Sequence, residues 1–384
     1  VAERNDDFLD RVRKLDQDSI RKHHLVPRSY LVRWAVENQI RVTETSTAKS
    51  YITSPERAAK ETDFYRIETE DPDFAPPLLF EAALGEFEGR AQPCLDVLVS
   101  DGPDALGPQQ ALDTGIYLGL QYARGRAVRQ QIQQASHLAA VAWVEAIPDD
   151  KVAEILQRQG TDATPEAVAR AKEAINALSE GKIRASPVRS SLVAMAMDMG
   201  LKLWPFFLAR RWKVLHSSLP LITSDEPVAM IGGPGSNRRV LSGHATARVA
   251  TFPLDPHHLL AMFHPGLRLD ATALVSELTA DEARQLNIET ASNSYRWCFE
   301  RPKGRQTLTI AVPPLDVAAR STSYRSADSP DESLIVLTRP SRWARTSTAP
   351  DWPIERWWRH VGPGTPDSIP FDPDNMEDAM FNTL

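Results

Sequence analysis

The sequence predicts an α+β fold: a helical middle region (78–215) packed on a mostly antiparallel sheet formed largely by the C-terminal half. Three observations carry this. Apolar positions at helical spacing, opened by prolines, fill the middle of the chain. Short apolar runs bounded by Gly, Pro and Asn crowd residues 219–313. Helices are gathered ahead of most strands instead of alternating with them, which argues against a doubly wound sheet.

Residues 1–22 read as a charged lead-in helix. In Arg21 to Ala35, Pro27 separates an extended His-His-Leu-Val from a short amphipathic helix carrying Tyr30, Leu31 and Trp34. Gln39 to Thr45 alternates like a strand, and Ser54-Pro55-Glu56 reads as an N-cap with Pro at the first helical position. Helix resumes over Leu78 to Leu98. Pro108 opens a long helix to about Ile147, followed by Lys151 to Gln159, Pro165 to Leu178, and a stretch from Ser186 to about Leu215. Strands are expected over Leu219 to Ile231, Arg248 to Leu254, His258 to Phe263, Tyr295 to Glu300 and Thr307 to Val312, with one helix at Ala280 to Ala291.

The chain of 384 residues suits a single family domain over 1–338, followed by a Pro/Trp-rich extension (339–384). That extension holds four of the nine tryptophans, so part of it should pack, while its acidic end past Gly362 reads as flexible and dispensable. Two cysteines, Cys94 and Cys298, can build neither a disulfide framework nor a cysteine zinc site, and the expected location is cytoplasmic. No membrane association is expected: the most apolar stretch, Leu192 to Ala209, carries Asp198, Lys202 and Pro205 and reads as a core helix. The net charge of -7 conceals alternation, with -11 over residues 61–115 and +5 over 116–216. An acidic segment folded against a basic one fits this. Net charge gives no footprint for nucleic acid, although a local basic groove is compatible with it.

Three strings hold residues suited to chemistry. In His23-His24-Leu25-Val26-Pro27, a kink ahead of proline lets one imidazole bind a metal while the other acts as a base, a pattern similar to the first element of HNH-type nucleases. The downstream Asn and His of that element are missing, and the alternative is a structural pair. Ile222-Thr223-Ser224-Asp225-Glu226-Pro227-Val228 places polar groups at a strand end; Asp225 would bind metal or orient a histidine, or simply form a turn that caps its own backbone. Gln121 and Arg124 share a helical face with Tyr117, and an inward arginine fork suits a carboxylate or phosphate. Its structural alternative is an ion pair with Glu81 or Glu88 of the acidic segment. No GxSxG, HExxH, GxGxxG or phosphate-loop string occurs.

Taken in order, these strings resemble a mostly bacterial family known as domain of unknown function 4238. The resemblance rests on His23 to Leu31, Asp63-Phe64-Tyr65, Glu81 and Glu88, Gln121 and Arg124, Ile222 to Val228, and Phe252 to Pro256, spanning about residues 20 to 300. Glu226 stands where the family often has Asn, and Asp255 where Ser is usual. The family implies no activity to carry over.

The functional expectation is therefore built from the residues. It is a metal-dependent hydrolase, a phosphodiesterase or nuclease, in which His23 and Asp225 hold a divalent metal ion, His24 activates water, and Arg124 with Gln121 binds the anionic group. Its rivals are a non-enzymatic binding module for an anionic small molecule or peptide, and a metal-using enzyme of specialised metabolism. The first reading requires His23, His24, Arg124 and Asp225 to line one cleft.

Overall fold

Pro27 and the histidines before it set the start of the fold in the computed structural model, which describes residues 2–15, 21–68, 75–239, 242–267, 276–317, 321–325, 333–337 and 339–358. The lead-in forms α1 (Ala2–Arg13), and the paired histidines form β1 (Lys22–His24). Extended Pro27 then opens α2 (Arg28–Leu31), a short helix that buries Tyr30 and Leu31. Strands β2 (Ile40–Glu44), β3 (Ser50–Thr53) and β4 (Lys60–Thr62) follow. The expected helix at Ser54-Pro55-Glu56 is only a turn: the Arg57 and Ala58 amides both donate to the Ser54 carbonyl, and the chain leaves at once into β4.

The helical middle comprises α3 (Leu79–Ser100), α4 (Pro108–Ala123), α5 (Arg126–Glu145), α6 (Val152–Arg158), α7 (Pro165–Ser179), α8 (Arg189–Lys202) and α9 (Trp204–Leu208). The single helix expected from Pro108 to Ile147 is broken at Arg124-Gly125. Gly125 is extended, and a Cβ there would lie 2.1 Å from a Glu226 carboxylate oxygen, so the break is built around that side chain. α4 and α8 approach closely, since a Cβ on Gly119 would stand 2.3 Å from the Gly200 carbonyl oxygen. Arg189–Leu208 is long and apolar enough by composition to cross a bilayer, and half of it is buried within the fold.

The helix expected to reach Leu215 instead ends at Leu208, and Arg211 to Ser217 forms β5. Val214 and Leu215 are apolar enough for either state; pairing with a neighbouring strand decides it. The remaining elements are β6 (Thr223–Ser224), β7 (Ala229–Ile231), β8 (Val249–Asp255), β9 (His258–Phe263), β10 (Glu277–Leu278), α10 (Ala280–Asn293), β11 (Trp297–Glu300), β12 (Ser321–Arg325) and β13 (Ser333–Leu337). Thr307–Thr309 is one 3-10 turn in place of the expected strand.

The expected single sheet is several among the described residues. A five-stranded sheet runs β10-β5-β9-β8-β7, antiparallel except where β10 meets β5. A four-stranded antiparallel sheet, β3-β2-β11-β6, joins the two ends of the chain. β1 pairs with β4, setting His23 opposite Glu61, and β12 pairs with β13. The main core packs Tyr30, Trp34, Tyr117, Phe252 and Phe299 between sheets and helices. A second core contains Phe263, Ile354, Trp357 and Trp358, so the extension packs on the body as far as Trp358. The acidic end past Gly362 lies outside the described residues.

Candidate functional site

Two polar assemblies adjoin Tyr65. On the inner side, His23 is fully buried and its Nδ1 accepts the Tyr65 amide at 3.1 Å. That bond fixes the neutral imidazole with its proton on Nε2. The Glu81 carboxylate lies 3.7 Å from the same Nδ1. Burial pushes the Glu81 carboxyl up to about 7, with Glu88 adding to the rise and Arg124 opposing it. Arg124, at the C-terminal end of α4, is 3% exposed and wholly engaged: Nη1 donates to Glu88 at 2.6 Å, Nε to the Tyr65 hydroxyl at 3.0 Å, and Nη2 to the His24 carbonyl at 2.8 Å. Gln121 sits three residues earlier on the same face, and neither of its amide atoms has a hydrogen-bond partner among the described residues.

His24 points the other way from its neighbour, as alternation along β1 requires. Its Nε2 donates to the Glu56 carbonyl at 3.1 Å. Burial, with Lys60 nearby, pulls its pKa down to about 4, so it is neutral at pH 7.

On the outer side, an open cleft of about 800 Å³ runs along α5. Its walls come from β4 and the following Asp63-Phe64, from α5, from the segment before α8, and from Tyr295. Four arginines line it (Arg126, Arg129, Arg184 and Arg189) against two carboxylates, Glu61 and Asp63. Both carboxylates already have cations: Glu61 is gripped by Arg126 through two nitrogens, and Asp63 by Arg21. Arg129 differs. Its guanidinium lies 3.4 Å from the Phe64 ring centroid, and Nη1 donates to the Phe64 carbonyl at 2.7 Å. Nε and Nη2 have no hydrogen-bond partner, and no carboxylate pairs with it among the described residues. The side chain is 9% exposed, and burial pulls its pKa down to about 10.

Asp225 is buried just past β6. Its Oδ1 accepts the Tyr295 amide at 2.9 Å, and Oδ2 accepts the Arg296 and Trp297 amides at 2.8 and 3.1 Å. Three backbone donors make it a clamp on the turn into β11. Burial and the adjacent Glu226 still push its carboxyl up to about 7. Glu226 reaches the other way: Oε1 accepts the Ala127 amide at 3.0 Å, capping α5, and Oε2 pairs with buried Arg339 at 2.8 Å. This strand end thus fixes two elements of the cleft wall, the start of α5 and the Tyr295 turn.

The predicted site residues are accordingly divided. His23, the His24 backbone and Arg124 come together with Glu81 and Glu88, and Gln121 lies beside them on α4. The donors of the expected His23–Asp225 ion site are engaged within the fold: the Asp225 oxygens accept backbone amides, and the His23 Nδ1 accepts the Tyr65 amide. No group of three or more His, Cys, Asp or Glu arranged for a metal ion occurs among the described residues. The role expected for Arg124 as an anion binder is corrected too, because each nitrogen has a protein acceptor; the alternative ion pair with Glu88 is what forms. Sequence reasoning missed Arg126 and Arg129. Their signal was present as cations three apart after Gly125, but the helix break that turns them into the cleft was not visible.

A family model described as protein of unknown function (DUF4238) matches residues 22–304, and the chain belongs to that family. No curated protein and no solved structure matches it.

Proposed function

We propose that this protein binds an anionic small molecule in the cleft along α5. One observation carries the reading: Arg129 lines the cleft nine-tenths buried, with no anionic partner among the described residues. A buried cation without a counter-charge is costly, and an anion beside it offsets that cost. The stacked guanidinium is pre-oriented, and its Nε–Nη2 edge has the spacing for bidentate contact with a carboxylate or phosphate. Both atoms are shielded from solvent, so the ligand reaches them by displacing cavity-lining side chains. The cleft volume falls in the ordinary range for small-molecule sites. Thermal unfolding in phosphate, citrate and nucleotide series, against matched chloride, tests this. The wild type should be stabilised with increasing ligand by simple linkage, and Arg129→Met should lose that response.

A hydrolytic reading is favoured by a separate observation, the Glu81 carboxyl held at about 7 beside His23, where it would exchange protons at neutral pH. It supports a phosphodiesterase acting from the α3 side, with Glu81 in place of His24 as the acid–base group. Turnover of phosphodiesters with magnesium, manganese or zinc, lost in folded Glu81→Gln and kept in Asp225→Asn, is its expected signature. Absence of turnover under all three ions leaves the binding reading alone.

A further inference from the structure

The cleft has hydrogen-bond donors at both ends of a run of α5. Arg126 and Arg129 occupy the first turn, while His137, eight residues beyond Arg129, lines the far end. Eight residues of helix rise about 12 Å. Two contacts bring the opposite wall to that far end: the Ala185 amide donates to the His137 Nδ1 at 3.3 Å, and Gln133 reaches Ser186 at 3.5 Å. Arg184 adjoins Ala185, lines the same cleft, and has no carboxylate partner among the described residues. Because His137 accepts at Nδ1, its neutral ring keeps a proton on Nε2 and remains a donor. Between the ends α5 contributes Gln130, Gln133 and Gln134, and Leu192 and Tyr295 line the same cleft, so the middle carries no charge on α5.

We infer that the ligand is elongated and carries two anionic groups about 12 Å apart, one held by Arg129 and the other by Arg184 with His137. This rests on the anion-binding reading and adds a second, separate anchor to it. A compact anion fills one end only. An extended dianion engages both, and its second contact forms at high effective concentration because the first already holds it.

The test is calorimetric titration of the full chain with straight-chain α,ω-dicarboxylates and bisphosphates of increasing length, alongside monoanions of equal length, at one ionic strength. Dianions spanning about 12 Å should bind at least tenfold tighter than the matched monoanion, with shorter ones losing that gain. Arg184→Ala, a change on an exposed segment, should erase the preference for dianions over the matched monoanions. Arg129→Met should weaken both classes, with circular dichroism confirming the fold. Monoanions and dianions binding equally, or a length preference that survives Arg184→Ala, would overturn the two-anchor inference and leave the anion-binding reading intact. If neither class binds, both fall.

Discussion

Glu226→Gln should be among the most destabilising isosteric changes available in this protein. Glu226 is 2% exposed and Arg339 is 6% exposed on its side chain, so their 2.8 Å contact is a buried ion pair. Removing one partner leaves a buried charge, which costs about 3–5 kcal/mol. The glutamine oxygen can still accept the Ala127 amide, so the roughly 1 kcal/mol cap on α5 should survive. Arg339 also keeps the Tyr122 ring, 4.6 Å from its guanidinium carbon, which softens the loss. The expected net is about 3 kcal/mol. Unfolding entropy for a chain of this length is about 0.8 kcal/mol per degree, so the melting temperature should fall by about 4 °C. Denaturant unfolding gives the free energy directly. The double variant Glu226→Gln/Arg339→Met should recover most of the loss, because no orphaned charge remains. A single variant within 0.5 kcal/mol of wild type, or a double variant worse than either single one, would refute the reasoning.

Asp225→Asn should cost about 2–3 kcal/mol, since an amide nitrogen then faces backbone N–H donors, and it should leave metal content unchanged. Loss of a bound ion with stability intact, by elemental analysis and calorimetry, would restore the ion-site role. The pH dependence has two opposing parts. His24 has a folded pKa of about 4, below its unfolded 6.5, so its share of stability is present above pH 6.5 and is lost as pH falls from 6.5 to 4. Glu81 has a folded pKa of about 7, above its unfolded 4.5, so its share is present below 4.5 and is lost as pH rises from 4.5 to 7. Glu81→Gln should therefore gain on wild type progressively from pH 4.5 to 7 and keep that gain above pH 7, and His24→Asn should flatten the acid side. Unfolding titrations from pH 4 to 8 read both slopes.

Much of the α+β frame was legible because it depends on local chemistry. Pro108 and Pro165 mark helix starts that hold, and the alternation in Gln39 to Thr45 matches the buried Ile40 and Val42 of β2. What was not legible depends on distant partners. Nothing near Gly125 in sequence announces that a carboxylate 101 positions away occupies the space of its side chain. The strand at Arg211 exists because β9 and β10 lie beside it. The site follows the same division. The polar strings could be picked out, and Arg124 with Glu88 could be weighed as an ion pair from charge alternation. That Asp225 serves the Tyr295–Trp297 amides is a fact of the fold, and it reverses the role its position at a strand end suggests.

Whether Arg129 marks a ligand site or is only an awkward core arginine turns on a comparison within the molecule. Arg210 is also buried with its pKa pulled down to about 10, but it donates to the Ala247, Met262 and His244 carbonyls. Its hydrogen-bonding need is largely met by the fold. Arg248 is fully buried with no partner on any guanidinium nitrogen among the described residues, yet it does not line the cleft. Arg129 combines the unmet edge with a place in the cleft wall. Replacing an uncompensated buried charge with an apolar side chain of similar volume is expected to be neutral or stabilising. Arg129→Met and Arg248→Met should therefore both leave stability within about 1 kcal/mol of wild type or raise it. Only Arg129→Met should abolish anion-dependent stabilisation in the unfolding assay. Equal loss in both variants would mean that the anion response reports general charge screening, and the cleft would have no claim to it.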